Sequence, residues 1–223
     1  MNSTCPMCGG EGKTIVKAIH GQSGMGKTAV QWCLCTKARM VSASPSFRLL
    51  SSLGDNYPSK INPALQFYPN ESQKSPNLLI TGNFDMFRLQ VKGVMMNYRF
   101  RDHALSLYCC SAIDILQTFY VKQEEGYKLS DVENFDLFVF SLGTREKNAQ
   151  LNTVISQVVY SRLKVKRPTW IYLPFAKLSD CIQEYSQDLD DYLKEYKHIR
   201  IGSSGGVIQD NSISKNEASN FTV

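Results

Sequence analysis

"NLLITGNFDMFRL", residues 77–89, is the stretch whose reading decides the fold. Leu78, Leu79 and Ile80 form an unbroken apolar run that ends at Gly82. A short run of that kind suits a strand buried on both faces. The residues that follow, "FRLQVKGVMMNYRF" (87–100), carry apolar side chains at helical spacing, with Gly93 as a weak point. Strand followed by helix is the repeating unit of a parallel sheet.

Downstream the unit recurs. "ALSLYCCS" (104–111) reads as a second strand and "AIDILQTFYVKQ" (112–123) as its helix. "DLFVFSLG" (136–143) is a third strand. "NAQLNTVISQVVYSRLK" (148–164) places Leu151, Val154, Ile155, Val158, Val159 and Arg162 on one side of a helix. "PTWIYLPF" (168–175) is a fourth strand, bracketed by prolines. "LSDCIQEYSQDLDDYLKEY" (178–196) has one apolar stripe, and "HIRIG" (198–202) is a fifth strand. Apolar strands alternating with amphipathic helices predict an α/β fold with a five-stranded parallel sheet covered on both faces. The polar end, 203–223, reads as a disordered tail.

Upstream, Pro45, Pro58, Pro63, Pro69 and Pro76 exclude long regular elements, so 41–77 reads as a connector. The first forty residues hold Cys5-x-x-Cys8 and Cys33-x-Cys35. Four thiolates in two tight pairs suit a tetrahedral zinc. "KTIVKAIH" (13–20) and "TAVQWCLC" (28–35) read as two strands of a zinc ribbon, joined by a glycine-rich turn. Four reduced thiols that never meet are the alternative.

That turn contains "GQSGMGKT" (21–28), a letter-for-letter match to the phosphate-binding pattern G-x-x-x-x-G-K-[ST]. On the nucleotide reading Gly21, Gly26, Lys27 and Thr28 would cradle phosphate. The flanking "KTIVKAIH" carries Lys13 and Lys17, too polar for a strand buried on both faces, and no apolar strand ends in Asp or Glu to hold Mg²⁺. A hairpin turn is the preferred reading, and an active NTPase using these residues is the alternative.

The chain has 223 residues, a formal charge of +5 and seven cysteines. No apolar run approaches a membrane span. No apolar signal core opens the chain, and an odd cysteine count argues for thiols or metal over disulfides. The expected compartment is the cytoplasm.

The order C-x-x-C-G-G, C-x-C, "ASPSFR" (43–48), "FDLFVFSLGT" (135–144) and "RPTWIYLPF" (167–175) resembles replicative-helicase loaders of the DnaC/DnaI type, including phage and mobile-element versions. The resemblance covers about residues 5–202 and implies an AAA+ core, 78–202, with strand order 5-1-4-3-2. It also implies a replicative helicase or another replication or mobile-element protein as partner, and contact with single-stranded DNA. The family's phosphate loop would fall on residues 82–89. There Gly82 keeps the first glycine, but Phe87, Arg88 and Leu89 replace the second glycine, the lysine and the Ser/Thr. Ser141 and Leu142 stand at the two metal-binding acids, Asp136 lies at the other end of that strand, and Pro174 takes the polar sensor position. Leu89 cannot ligate Mg²⁺, and a phenyl ring obstructs amides from approaching phosphate. The expectation is a pseudo-ATPase adaptor without catalytic residues; an inhibitor of helicase loading is a variant of it.

A basic cluster, Arg162, Lys164, Lys166 and Arg167, is the expected nucleic-acid or partner contact, against a solvated helix end. If it alone acted, the chain would be a zinc-dependent nucleic-acid binder. His20, His103 and His198 are scattered and read as structural or surface groups. Cys109, Cys110 and Cys181 read as core thiols, and Asp188, Asp190, Asp191 and Glu195 as a solvated face. Of the two tryptophans, Trp32 is the better stacking candidate and Trp170 the better core residue.

Overall fold

A computed structural model describes residues 5–17, 28–69, 75–100, 105–121, 128–143, 149–174, 187–202 and 207–208. Strands β1 (Lys13–Lys17) and β2 (Thr28–Trp32) form an antiparallel hairpin. Helix α1 (Leu34–Ala43) follows at once, and a 3-10 segment, Pro45–Leu53, begins on a proline that cannot extend α1.

The main sheet contains β3 (Leu78–Gly82), β4 (Leu107–Ser111), β5 (Leu137–Ser141), β6 (Thr169–Tyr172), β7 (Lys197–Ile201) and β8 (Val207–Ile208). Its order is β4-β5-β6-β3-β7-β8. The first five strands of the core are mutually parallel, and their order is the expected 5-1-4-3-2. The sheet nevertheless has a sixth member. β8 pairs antiparallel with β7 through Arg200–Ile208 and Ile201–Val207. The expectations of five strands and of a fully disordered tail are corrected to that extent.

Side chains of the inner strands alternate between two cores, as a period of two requires. Leu78, Ile80, Val139, Trp170 and Tyr172 face α2 (Phe84–Arg99). Leu79, Phe138, Phe140 and Ile171 face the other layer, which includes α4 (Ala149–Lys164) and α5 (Gln187–Leu193). α3 (Ala112–Ile115) runs into a π-helical stretch, Leu116–Val121, in that same layer. Burial on both faces explains why these strands read as unbroken apolar runs.

The connector is not a loose tether. Val41, Phe47, Leu50, Leu65 and Phe67 are buried in the same core as Phe87 and Val91 of α2. Ala38 and Val41 of α1 belong to that core too, so α1 links the cysteine pairs to the sheet domain. Gly93 has a packing role: a Cβ there would lie 2.5 Å from Pro58 Cγ and 2.9 Å from Ile61 Cγ1. Among the described residues no helix is long and apolar enough to cross a membrane.

Candidate functional site

The two cysteine pairs meet. Cys5 Sγ lies 3.8 Å from Cys33 Sγ, and Cys8 Sγ lies 3.7 Å from Cys35 Sγ. All four sulfurs fall within 4.8 Å of one another. A tetrahedron with Zn–S bonds of ~2.3 Å has edges of about 3.8 Å. Disulfides would need ~2.05 Å. The four cysteines can therefore hold a metal ion.

Local structure builds this arrangement from the chain outward. Cys5 to Gly10 form a tight turn, with the Gly9 amide donating to the Cys5 carbonyl at 2.8 Å. Gly9, Gly10 and Gly12 all have positive φ, and a side chain on Gly12 would meet Thr36 Oγ1 at 2.9 Å. The Gly12 amide, then the Gly10 amide, pull the Cys8 thiol down to about 7. Cys33 is the N-cap residue of α1 and Cys35 sits in its first turn. The Cys35 amide lowers the Cys33 thiol, but burial and the three neighbouring thiols outweigh it and push Cys33 up to about 12. A metal that replaces those protons relieves this crowding. Four thiolates close the coordination sphere, which makes the site structural in kind.

The second place of interest is the β3–α2 turn. The sequence reading starts its helix-like stretch at Phe87, and the resemblance places a phosphate loop on 82–89. Instead α2 starts at Phe84, and Asn83 alone separates it from β3. The Asn83 side chain accepts from the Met86 amide at 2.9 Å, and Asp85 occupies the first turn. The Phe87 amide donates to the Asn83 carbonyl at 2.9 Å, an ordinary helical bond. Of the amides at this turn, those of Met86 and Phe87 are thus taken by Asn83, and that of Asn83 by the Ile201 carbonyl at 2.9 Å.

Side chains close the same space. Phe87 is fully buried, and its ring stacks on Tyr172 with centroids 4.8 Å apart. Phe84 lies 4.9 Å from Tyr172. The Tyr172 hydroxyl donates to the Gly82 carbonyl at 2.6 Å. Burial, and secondarily Asp85, push the Tyr172 phenol up, so it stays protonated and remains a donor. Gly82 has φ 104°, and a Cβ there would lie 2.1 Å from the Ile201 carbonyl oxygen. Close approach to β7 therefore requires that glycine. Arg88 donates to Asp85 at 2.6 Å and to Ser52 at 2.7 Å, and lies over the Phe84 ring. Leu89 is half-buried beside it.

The residues singled out at the ends of β5 and β6 lie as follows. Ser141 pairs with Ser111 and Tyr172 across the sheet, Leu142 is buried, and Pro174 follows Leu173. Asp136 is held at the opposite end of β5, where it pairs with Arg167 at 2.6 Å and accepts from the Ser106 amide at 2.9 Å. Sequence reasoning missed Tyr172 and Phe84. The Asn83-Phe84-Asp85 order, an N-cap followed by an acidic first turn, was the available signal.

Arg162 is corrected. It is fully buried, and it donates to Thr169 Oγ1 and to the carbonyls of Val132, Phe135 and Pro168. Burial pulls its guanidinium down to about 9, still charged at neutral pH. It cannot reach a partner. Lys164 and Lys166 are exposed, and Arg167 is engaged by Asp136, so the four cations do not form one surface.

Gly21, Gly26, Lys27, His20, His103 and Cys181 lie outside the described residues; Thr28 opens β2. Cys109 and Cys110 are buried core thiols and Trp170 is a buried core residue that donates to the Pro76 carbonyl. His198 is half-buried on β7. Asp188 and Asp190 lie on α5, Asp191 pairs with Lys194, and Glu195 is exposed. Trp32 is exposed.

No family model matches the chain, and no curated protein matches it. Among solved structures it is similar to one described as the crystal structure of the DnaI, at 13% identity and a TM-score of 0.48, over 69% of this chain and 78% of that one.

Proposed function

We propose that this chain is a non-hydrolysing adaptor of the helicase-loader type, acting in DNA replication or mobile-element maintenance. A replicative helicase is its protein partner, and zinc in the Cys5, Cys8, Cys33, Cys35 centre braces the N-terminal ribbon. The observation that carries the pseudo-ATPase part is the one-residue passage from β3 to α2, capped by Tyr172 on Gly82. A triphosphate bound there would need the first turn of α2 unwound and Phe87 expelled from the core. Phosphoryl transfer depends on positioned amides, a lysine and metal-holding acids. With Phe87, Leu89, Ser141 and Leu142 at those positions, assembly would be governed by protein contacts. The loader assignment itself is supported by the ordered motifs of the sequence and by the strand order.

Calorimetric titration with MgATP tests the nucleotide part. The expected result is no saturable binding at millimolar nucleotide, for wild type and Lys27→Ala alike. Tight Mg²⁺-dependent binding that Lys27→Ala abolishes would instead assign the chemistry to residues 21–28. Co-migration with a hexameric replicative helicase from the same source, unchanged by ATP, tests the partner.

A further inference from the structure

We infer that one face of the β1–β2 hairpin binds single-stranded nucleic acid, with Trp32 as the base platform and Lys13 as a phosphate contact. The strand register pairs Lys13 with Trp32 and Ile15 with Val30. Alternation then puts these four side chains on one face. That face is open: Ile15 is 74%, Val30 67% and Trp32 46% exposed. Lys13 Nζ lies 5.0 Å from the centroid of the Trp32 ring. An exposed indole with an ammonium at its face offers a stacking surface and a phosphate ligand within one nucleotide's reach. Ile15 and Val30 extend the platform with apolar area for a neighbouring base.

Charge favours an anionic occupant. Residues 1–43 contain five Lys and Arg but a single acid, Glu11. A zinc tetrathiolate would add a charge of about −2, which still leaves this segment positive. Over residues 1–100 the count is eleven basic against four acidic, whereas residues 101–223 hold fourteen against sixteen. An acidic polypeptide would also answer the charge. Protein anchors, however, favour pockets, whereas the register sets Lys13 beside Trp32 and Ile15 beside Val30 across a two-stranded face. A base needs only a ring face.

This inference deepens the adaptor reading by naming its nucleic-acid surface, but no arm of the test uses ATP or a helicase, so the two can fail separately. Full-length, metal-loaded protein is titrated with fluorescein-labelled (dT)15, a 15-base-pair duplex, and a labelled oligoglutamate peptide. Binding is read by anisotropy and by tryptophan emission. Trp170 is fully buried, so a change in emission reports on Trp32. Saturable quenching by (dT)15, with affinity that falls as salt rises, is expected. Trp32→Ala weakens (dT)15 at least about tenfold while keeping one metal per chain, and Trp32→Phe restores most of the loss. Lys13→Gln weakens binding and lowers the salt slope by about 0.7. No quenching, or a metal-loaded Trp32→Ala protein that binds (dT)15 like wild type, overturns the inference. Equal affinity for the duplex overturns base stacking, and equal affinity for oligoglutamate transfers the face to a protein partner.

Discussion

Arg162 and Lys92 are cations that the fold takes out of water, and they are satisfied to different degrees. Arg162 fills its donors with Thr169 and three carbonyls, which ties α4 to β6 and to the segment before β5. Arg162→Leu would strand those carbonyls, and a loss of about 1–3 kcal/mol in denaturant unfolding is expected. Lysine cannot copy the planar fork, so Arg162→Lys should recover little. Lys92 donates to the Gly54 carbonyl at 2.7 Å. Burial holds its ammonium down at about 8, with Asp55 opposing. Between pH ~8 and the ordinary lysine value of ~10.4 the unfolded chain binds this proton and the folded chain does not. Stability from this site therefore rises as pH climbs through that window and is lowest below it. Lys92→Met should raise stability at pH 7 relative to wild type, by on the order of 1–3 kcal/mol, with the difference shrinking by pH 10. Guanidinium melts at both pH values check it.

At the scale of elements, α2 is set by its two ends and its middle. Asn83 caps it, Gly82 lets β3 press on β7, and Gly93 lets the connector press on α2. Gly93→Ala improves helix propensity by ~1 kcal/mol. The clash with the Pro58 ring is expected to outweigh that, leaving a net loss of about 1–2 kcal/mol on thermal unfolding. From sequence alone Gly93 looks like a flaw in a helix. The structure makes it a contact, because Pro58 and Ile61 come from a segment whose prolines gave no hint of where it would pack. The helix start was misplaced for a similar reason. A phosphate loop and a capped helix use the same residues, and only the path of the backbone distinguishes them.

For the whole molecule, α1 is the mechanical link. Its first turn carries Cys33 and Cys35, and Ala38 and Val41 of the same helix lie in the sheet's core. Metal removal should therefore reach past the ribbon. Chelation under reducing conditions is expected to lower the melting temperature and raise amide exchange in residues 34–43. Cys35→Ser should do the same, and elemental analysis should find it short of the one metal per chain expected of wild type. Unchanged melting after complete metal loss would show that the ribbon and core are independent.

The sequence by itself determined the alternation of strand and helix and the spacing of two cysteine pairs, because periodicity and ligand spacing are local properties; the order of the five parallel strands was only what the resemblance implied, and the structure brought the four sulfurs together. It raised the expectation of a degenerate nucleotide site at Phe87, Leu89 and Leu142, since that reading depends on side-chain type. Only the tertiary structure decided that Arg162 is internal, that Tyr172 bonds the Gly82 carbonyl, that the connector belongs to the core, and that a sixth strand joins the edge. Each of these depends on which distant segments meet, and burial can turn a surface-looking cation into a core hydrogen-bond donor without changing a letter of the chain.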